Sequence, residues 1–295
     1  MMMIEKLLSH RLRGFGSPEN TASAMRAACG VGIRYLEIDT RVSPDGTIYV
    51  RHNPWSSLPR SMRAVPSGVR ASKDSSPRER GSLFPLEEAL RLFSDCSNAS
   101  QRLCIDIKDY GFEHLHLELV RRAGLEQRVS FVSWIPQTIL RLHLLGTTSP
   151  LVLSYVDLVR FGWLGRAVDR AIAGCCAPFG WFVFLGRNRC TEAPGSFARG
   201  YQHGLICVGL PAALVDVLSN SRGGICVQRR LVNGKLIARC LDLGLELWTF
   251  SVRTKASFVR YARQPGVKVV FCDRAEEIAR ALNQPDISGS GRDST

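Results

Sequence analysis

The stretch Tyr35–Thr40 reads YLEIDT and alternates apolar residues with two acids, Glu37 and Asp39. In a β-strand, side chains two residues apart point to the same side, so both acids face one way, and Leu36 and Ile38 face the other. A strand with an apolar outer face and a functional inner face is typical of a barrel that is covered by helices. The stretch therefore predicts a barrel strand with two carboxylates pointing inward.

Outward from this stretch, short apolar strands alternate with amphipathic helices. We predict strands at Leu7–Ser9, Tyr35–Thr40, Leu103–Ile107, Val129–Val132, Leu151–Leu153, Gly224–Val227, Leu245–Phe250 and Val267–Cys272. We predict helices at Asn20–Cys29, Leu86–Phe93, Glu113–Arg122, Pro136–Leu145, Lys235–Leu243, Lys255–Tyr261 and Glu276–Leu282. This α/β alternation predicts a single TIM (β/α)8 barrel domain over residues 1–285, with a doubly wound open sheet as the alternative.

Four segments depart from the repeat. Ile48–Val50 follows a Pro-Asp-Gly turn and is predicted to be a hairpin extension after the second strand. Residues 54–84 form a basic loop insertion with six Lys/Arg against two acids, either a solvated flexible loop or a basic lid over an anionic substrate. Residues 154–223 exceed one βα unit and are expected to carry extra helix and loop, and residues 286–295 are expected to be a disordered tail.

Composition limits the class of partner. The 295 residues carry a net charge of +13, which favours anionic partners such as nucleic acid, phosphorylated small molecules or a membrane surface. The arginines are dispersed and no nucleic-acid-binding module is present, which favours a small anionic substrate. The most apolar stretch, Phe161–Leu185, is interrupted by charges, so no transmembrane segment is expected.

The cysteines and the N-terminal residues indicate a compartment. None of the 10 cysteines lies in a Cys-x-x-Cys pair, and several occur in apolar runs, as expected for reduced structural thiols. Residues 1–9 lack the apolar core and the cleavage pattern of a secretory signal. These features predict a cytoplasmic protein.

The inward-facing acids predict a metal site. Two like charges inside a barrel repel each other and lose hydration, and a divalent cation removes that cost. Asp106 and Lys108 share one face of the third main strand and add a third carboxylate and a cation. Carboxylate oxygens suit Mg²⁺ or Ca²⁺. The structural alternatives are an ion pair of the first two acids with Arg34 or Arg41, and a buried Asp106–Lys108 pair.

Two histidines lie beside these strands. His10 follows the first strand directly, and His52 follows the hairpin arm. Histidine titrates nearest neutral pH, so one imidazole can accept a proton while the other donates one. Arg11 offers a planar fork suited to phosphate oxygens. The remaining histidines are expected to be surface or packing residues: His114, His116, His143 and His203.

The stretch Pro18–Thr21 has two interpretations. It can be the start of a helix, with Asn20 or Thr21 as the capping residue. Alternatively, Glu19 reaches the site.

These motifs carry a resemblance. His10-Arg11, Pro18-Glu19-Asn20-Thr21, Glu37-Ile38-Asp39, Asp45-Gly46 and His52 resemble, in order, the opening motifs of the glycerophosphodiester phosphodiesterase family. Similar matches follow along the chain at Ile105–Lys108, Ser130–Trp134, Trp248–Ser251 and Phe271–Asp273. The resemblance spans about residues 7 to 282 and is most specific in the first 53.

The resemblance implies a TIM barrel that cleaves phosphodiesters with the help of a divalent metal. It implies roles for eight residues: metal ligands at Glu37, Asp39 and Asp106, an acid–base pair at His10 and His52, phosphate contacts at Arg11 and Lys108, and a wall of the substrate pocket at Trp248. The expected products are an alcohol and a phosphomonoester. The alternatives are a lyase-like phospholipase D that forms a cyclic phosphate, a phosphodiester-binding pseudoenzyme on the same barrel, and a nucleic-acid binder.

Four positions depart from the family pattern. Leu12 replaces a glycine, so the first loop must take another path or tolerate a side chain. Asn53 replaces an aspartate beside the second histidine, Ser251 replaces an asparagine, and Asp106 stands where glutamate is usual, although the related spider-venom phospholipases D also use aspartate there. The altered positions and the basic insertion favour a bulkier or sugar-based diester.

Overall fold

Eight parallel strands close into a ring in the computed structural model, which describes residues 3–15, 18–53, 83–154, 182–183, 206–207 and 212–283. In chain order the strands are β1 (Leu7–Ser9), β2 (Tyr35–Val42), β3 (Ile48–Val50), β4 (Arg102–Ile107), β5 (Val129–Ser133), β6 (Leu151–Ser154), β7 (Phe182–Val183), β8 (Ile206–Cys207), β9 (Gly224–Gln228), β10 (Glu246–Val252) and β11 (Val267–Cys272). Strand β3 pairs antiparallel with β2 outside the ring, and β7 pairs with β8.

The ring closes at the first strand. Leu8 of β1 pairs with Phe271 of β11 on one side and with Tyr35 of β2 on the other. Every neighbouring pair in the ring is parallel. The predicted barrel is confirmed, and the open doubly wound alternative is wrong because no edge of the ring is left unpaired.

One helix follows each ring strand within the described residues. The helices are α1 (Ala22–Val31), α2 (Leu86–Cys96), α3 (Glu113–Arg122), α4 (Pro136–Leu144), α5 (Ala212–Asn220), α6 (Gly234–Asp242), α7 (Lys255–Ala262) and α8 (Ala275–Asn283). None of these helices combines the length and the apolar character needed to cross a bilayer.

Element bounds differ from the sequence prediction mainly at the ends. Helix α1 begins after Thr21, whose Oγ1 accepts a hydrogen bond from the Ala24 amide at 3.3 Å, and Asn20 lies before the helix with a φ of 58°. Helix α5 was expected only as part of the extra segment at 154–223, most of which lies outside the described residues. Residues 54–82 of the basic insertion and the tail at 286–295 also lie outside them.

The alternation of side chains along the strands separates two cores. Leu36 and Ile38 of β2 are fully buried between the barrel and its helices. Leu8, Tyr35 and Trp248 pack inside the ring with residues of the other strands. The inner face of β2 therefore changes from an aromatic residue at Tyr35 to carboxylates further along the strand.

Gly224 is required where β9 approaches β10. A Cβ at this position would lie 1.9 Å from the Glu246 carbonyl oxygen. Gly224→Ala must therefore push two paired strands apart, and we expect it to lower the free energy of unfolding by about 3 kcal/mol. Urea unfolding midpoints measure the loss. Gly234→Ala is the control, because a Cβ at the start of α6 meets nothing within 4 Å. An unchanged midpoint for Gly224→Ala would contradict the close approach.

His116 ties α3 to the barrel. Its buried ring places Nδ1 3.0 Å from the Phe112 carbonyl oxygen and Nε2 3.0 Å from Thr40 Oγ1. Nδ1 must carry the ring proton in order to donate a hydrogen bond to the carbonyl oxygen. Nε2 can therefore accept a hydrogen bond from the threonine hydroxyl. Burial lowers the pKa of His116 from 6.5 to about 4. The prediction that this histidine is a packing residue agrees with its position.

Acid should therefore weaken the fold through His116. Between pH 6.5 and about 4 the unfolded ring binds a proton that the folded ring does not, so the free energy of unfolding falls as pH falls. We expect this group to account for up to about 3 kcal/mol of the loss. Urea midpoints at several pH values should fall less steeply for His116→Gln than for the parent. The exposed neighbour His114→Gln should keep the parental slope, and parallel curves for parent and His116→Gln would contradict the prediction.

Candidate active site

Three carboxylates, named here the acidic cluster, meet toward the C-terminal ends of β2 and β4. They are Glu37, Asp39 and Asp106. Asp39 pairs in register with Asp106, and Glu37 precedes Asp39 on the same face. One oxygen from each carboxylate lies within 4.8 Å of the others, and Glu37 and Asp39 are buried. Three like charges at this spacing need positive charge nearby, as the sequence predicts.

Two cations lie against the cluster. Lys108 places its Nζ 3.0 Å from Asp39 Oδ1 and also contacts Asp106 Oδ2 directly. Arg11 Nε lies 3.2 Å from Asp39 Oδ2. Asp39 is therefore held between two positive groups from different loops.

Of the alternative partners proposed from sequence, the Asp106–Lys108 pair is present, whereas Arg34 and Arg41 lie elsewhere. Arg41 forms an ion pair with Asp109 at 2.7 Å, and Arg34 pairs with Glu5 at the other end of β2 at 3.5 Å. The structural interpretation of the acids as partners of Arg34 or Arg41 is therefore wrong. Arg41 and Arg34 instead support the loop after β4 and the start of the barrel.

The three carboxyl groups differ in their electrostatics. Burial, followed by the charges of Asp39 and Asp106, raises the pKa of Glu37 well above its ordinary value. Burial alone would also raise the pKa of Asp39, but Lys108 and Arg11 hold it below its usual range. Burial raises the pKa of Asp106, and Lys108 offsets only part of that effect. Glu37 is thus the least compensated member of the cluster.

The loop after β1 shapes the site through its backbone. Arg11 and Leu12 both have a φ of 56°, and the Arg11 amide donates to Glu37 Oε2 at 2.7 Å. The side chain of Leu12 is fully buried in the core between barrel and helices. The leucine at the glycine position therefore keeps a left-handed backbone and points away from the barrel mouth.

Asn20 supports Asp39 from both sides. Its Nδ2 donates to Asp39 Oδ2 at 3.0 Å, and its Oδ1 accepts from the Asp39 amide at 3.3 Å. Sequence interpretation considered Asn20 as a helix cap and missed this role. Its place in the Pro18–Thr21 motif match was the signal that could have indicated it.

His10 is oriented by a carboxylate from the last strand. Its Nδ1 lies 2.7 Å from Asp273 Oδ1, and its ring packs edge-on against Phe271 with centroids 6.0 Å apart. The Asp273 carboxylate accepts the Nδ1 proton, which leaves Nε2 of the neutral ring able to accept a hydrogen bond. This hydrogen bond to Asp273, helped by the nearby Arg13, keeps the pKa of Asp273 below its usual range, although burial alone would raise it.

Asp273 and Glu19 join a rim of charges around His10. Arg13 lies 3.2 Å from Asp273 Oδ1 and contacts Glu19 directly, and Arg253 lies 3.3 Å from Asp273 Oδ2. Glu19 also lies 3.6 Å from Arg11. Glu19 therefore reaches the edge of the site, which was one of the two interpretations of Pro18–Thr21. Asp273 and Arg13 were not singled out from sequence, although Asp273 ends a motif match.

His52 lies near the same carboxylates, after the hairpin. Its Nδ1 is 3.1 Å from Asn53 Oδ1, and its carbonyl oxygen accepts from Arg41 Nε at 3.1 Å. Asn53 thus keeps a contact to the imidazole but brings no charge. Burial, only partly opposed by Asp39, lowers the pKa of His52. Both His10 and His52 act electrostatically on Asp39, so the fold brings the two imidazoles to one cluster.

The acidic cluster fits a hard divalent cation. All three donors are carboxylate oxygens, which such ions prefer. The buried Oδ1 of Asp106 accepts no hydrogen bond from the described residues, which is costly for a charged group unless a cation contacts it. The donor set does not discriminate between Mg²⁺ and Ca²⁺.

Trp248 lies inside the barrel. Its side chain is 1% exposed and packs on Tyr35 and Phe271. Its indole N–H donates to Glu246 two residues earlier on the strand, at 2.9 Å. The described residues therefore do not show Trp248 as an open wall of a substrate pocket. It supports the site from within the barrel core, because its position on β10 lies before the strand's C-terminal end.

Comparison with known proteins supports the fold. No protein-family model matches the sequence, and no curated protein matches it. A structure described as a glycerophosphodiester phosphodiesterase from Galdieria sulphuraria matches with a TM-score of 0.60 at 15% identity, over 95% of this chain and 98% of that one. The enzyme from Parabacteroides distasonis matches with a TM-score of 0.57 at 14% identity, over 95% and 98%.

A third similar structure carries a bound product. It is a phosphodiesterase from Oleispira antarctica in complex with sn-glycerol-3-phosphate, with a TM-score of 0.54, 15% identity, and coverage of 95% of this chain and 98% of that one. These comparisons give the fold class as a (β/α)8 barrel. Within that class, this chain has the fold of glycerophosphodiester phosphodiesterases. At these identities the likeness concerns the fold.

Proposed function

We propose that this protein is a metal-dependent phosphodiesterase that hydrolyses a glycerophosphodiester to an alcohol and a phosphomonoester. The observation that carries the proposal is the acidic cluster of three carboxylates, two of them buried, whose oxygens lie within 4.8 Å of one another and close to two imidazoles. Residues with these functional groups, at the C-terminal ends of barrel strands, suit chemistry on a bound anion. The shared fold and the sequence motifs favour the same activity.

Glu37, Asp39 and Asp106 would hold the divalent cation. When bound there, the cation supplies Lewis-acid polarisation of a phosphoryl oxygen and neutralises developing negative charge. The protein contributes the hydrogen bonds that fix these carboxylates. Asn20 holds Asp39, and the Arg11 amide holds Glu37. The cluster is therefore built before any substrate arrives.

Arg11 and Lys108 would bind the remaining phosphate oxygens. Their side chains are 16% and 14% exposed and lie against Asp39, so each keeps its charge close to the site and largely away from bulk water. Negative charge that develops on the phosphoryl group is stabilised best by such pre-oriented cations. Both groups also fix the phosphorus for in-line attack.

His10 and His52 would move the protons. Asp273 holds the Nδ1 proton of His10, so Nε2 of His10 can accept a proton from the nucleophile or return one to the leaving oxygen. Burial keeps His52 neutral to a lower pH than an exposed histidine, which suits a base. Attack by water gives a phosphomonoester directly, whereas attack by a neighbouring substrate hydroxyl gives a cyclic phosphate first.

The position of Leu12 changes the proposed substrate. The presence of leucine instead of glycine suggested a bulkier or sugar-based diester. The Leu12 side chain is buried in the core, however, and does not line the barrel mouth. We therefore place glycerophosphodiesters first. Sugar phosphodiesters remain the second substrate class, since the rim of Arg13, Glu19 and Arg253 offers hydrogen-bonding groups that suit hydroxyls.

A product-resolved assay tests the proposal. Glycerophosphocholine, glycerophosphoethanolamine, a lysophospholipid and a sugar phosphodiester are each incubated with the protein and Mg²⁺, Ca²⁺ or Mn²⁺, and phosphorus NMR follows the products. We expect glycerol phosphate from the first two substrates, and none in excess chelator. Binding of these diesters without turnover under every metal would contradict catalysis and indicate a binding protein. A cyclic phosphate as the final product would replace hydrolysis by the lyase-like route.

A further inference from the structure

Two thiols meet at the ends of the first two helices. Cys29 lies in the last turn of α1, and Cys96 is the last residue of α2. Their Sγ atoms are 2.7 Å apart, compared with the roughly 2.05 Å of a disulfide bond. Cys29 is 5% exposed, whereas Cys96 is half-buried. The proposed phosphodiesterase chemistry uses neither thiol.

The backbone around both thiols is anchored by side chains. Gln101 Nε2 donates to the carbonyl oxygens of Cys29 at 3.3 Å and of Ile33 at 2.9 Å, which joins the end of α1 to the segment after α2. Arg128 donates to Ser97 Oγ at 2.6 Å and to the Asn98 carbonyl oxygen at 2.8 Å. These contacts hold the two sulfurs together before any oxidation, so little chain ordering is left for a covalent bond to impose.

We propose that Cys29 and Cys96 form an intramolecular disulfide when the protein meets a low-molecular-weight disulfide such as oxidised glutathione. The thiolate of Cys96, the less buried of the two residues, attacks one sulfur of the glutathione disulfide and expels a glutathione thiolate. The Cys29 thiolate then attacks the Cys96 sulfur and expels the second. Two protein thiols are oxidised, one glutathione disulfide is reduced to two glutathione thiols, and the two protons pass to those thiols.

The cross-link lies at the end of the barrel opposite the acidic cluster. Helices in this fold run back from the C-terminal ends of the strands, so the ends of α1 and α2 lie near the strand N-termini. The bond would close a loop from residue 29 to 96 that includes β2 and β3. Its expected effect is on stability, because a closed loop restricts the unfolded chain.

Peptide mapping tests the bond directly. The full chain is incubated with oxidised glutathione, its remaining thiols are alkylated with N-ethylmaleimide in urea near neutral pH, and it is digested with trypsin without reduction. We expect a cross-linked pair of peptides, Ala27–Arg34 and Leu92–Arg102, with a mass two hydrogens below their sum. We also expect the melting temperature of the oxidised protein to rise by about 5–10 °C and to return on reduction.

Single substitutions provide the controls. Cys96→Ala should lose both the peptide pair and the rise in melting temperature, and it replaces the more exposed thiol so that folding is retained. Cys240→Ser, at a buried thiol of α6, should keep both. A glutathione adduct on Cys96 without the cross-link, or alkylation of both thiols after oxidation, would overturn the proposal. These readouts do not depend on catalysis, so they separate this proposal from the proposed function.

Discussion

Replacing His10 with alanine should lower turnover of a glycerophosphodiester by about 10²–10⁴-fold, the range typical for loss of a general acid or base. The fold should persist, because the side chain is 27% exposed at the end of β1. Its partner Asp273 also keeps ion pairs with Arg13 and Arg253. Steady-state kinetics and near-ultraviolet circular dichroism measure the two outcomes. His114→Ala, on the exposed side of α3, is the control and should retain parental turnover.

The leaving group shows which proton His10 moves. A p-nitrophenolate leaving group needs little protonation when it departs. Loss of a general acid therefore lowers turnover of that diester less than turnover of an unactivated one. If His10 is the acid, His10→Ala should be much less impaired on the activated diester, and His52→Ala should be equally impaired on both substrates. The reverse pattern assigns the base to His10. Full activity of His10→Ala on both diesters would rule out a catalytic role.

Asp273→Asn separates orientation from proton transfer. The amide keeps a hydrogen-bonding oxygen toward Nδ1 but removes the charge that stabilises a protonated His10 ring. We expect a smaller loss of roughly 10–100-fold in turnover than for His10→Ala, because the protonated ring loses its counter-charge while its position is kept. A merely structural role for Asp273 would lower stability without changing the turnover of the folded protein.

Replacing Glu37 with glutamine should remove metal-dependent activity while making the metal-free protein more stable. Burial and two neighbouring carboxylates raise the pKa of Glu37, so its charge costs folding free energy at neutral pH. Glutamine has nearly the same shape and can still accept from the Arg11 amide. We expect the loss of this carboxylate ligand to cost about 3 kcal/mol of transition-state stabilisation, which lowers turnover roughly 100-fold.

Thermal unfolding with and without metal distinguishes these effects. The parent should gain melting temperature on addition of Mg²⁺ or Ca²⁺, since a ligand bound only by the folded state stabilises it. The Glu37→Gln variant should have a higher melting temperature without metal, and that temperature should rise little when metal is added. Glu246→Gln is the matched control, because this partly buried strand carboxylate lies outside the acidic cluster and should leave the metal response intact. A full metal response in Glu37→Gln would contradict its assignment as a ligand.

Much of the barrel could be predicted because its signals are local. The apolar outer face of β2 and the turn after it are properties of a few consecutive residues, and so are the helix starts marked by capping threonines at Thr21 and Thr254. Element ends moved by a few residues because pairing with neighbours extends a strand beyond its apolar run. Helix α5 was not predicted by its bounds, since it follows a long segment without regular periodicity.

The partners of the candidate site residues were harder to predict. His10 and Asp273 are 263 residues apart in sequence, and only the pairing of β1 with β11 brings them to 2.7 Å. The sequence left open whether the loop at Leu12 takes another path or tolerates a side chain, because the direction of that side chain depends on a left-handed backbone that the sequence did not indicate. Trp248 looked like a pocket wall because a motif match does not report depth within the barrel.

The sequence by itself determined the (β/α)8 barrel and the shared face of Glu37 and Asp39, because alternation with a period of two residues is a local property of a strand. Only the tertiary structure decided how those charges are compensated. Ring closure and strand register place Lys108 between Asp39 and Asp106, Asn20 beside Asp39, and Cys29 against Cys96. These contacts join residues far apart in the chain, and their geometry depends on the packing of the whole barrel.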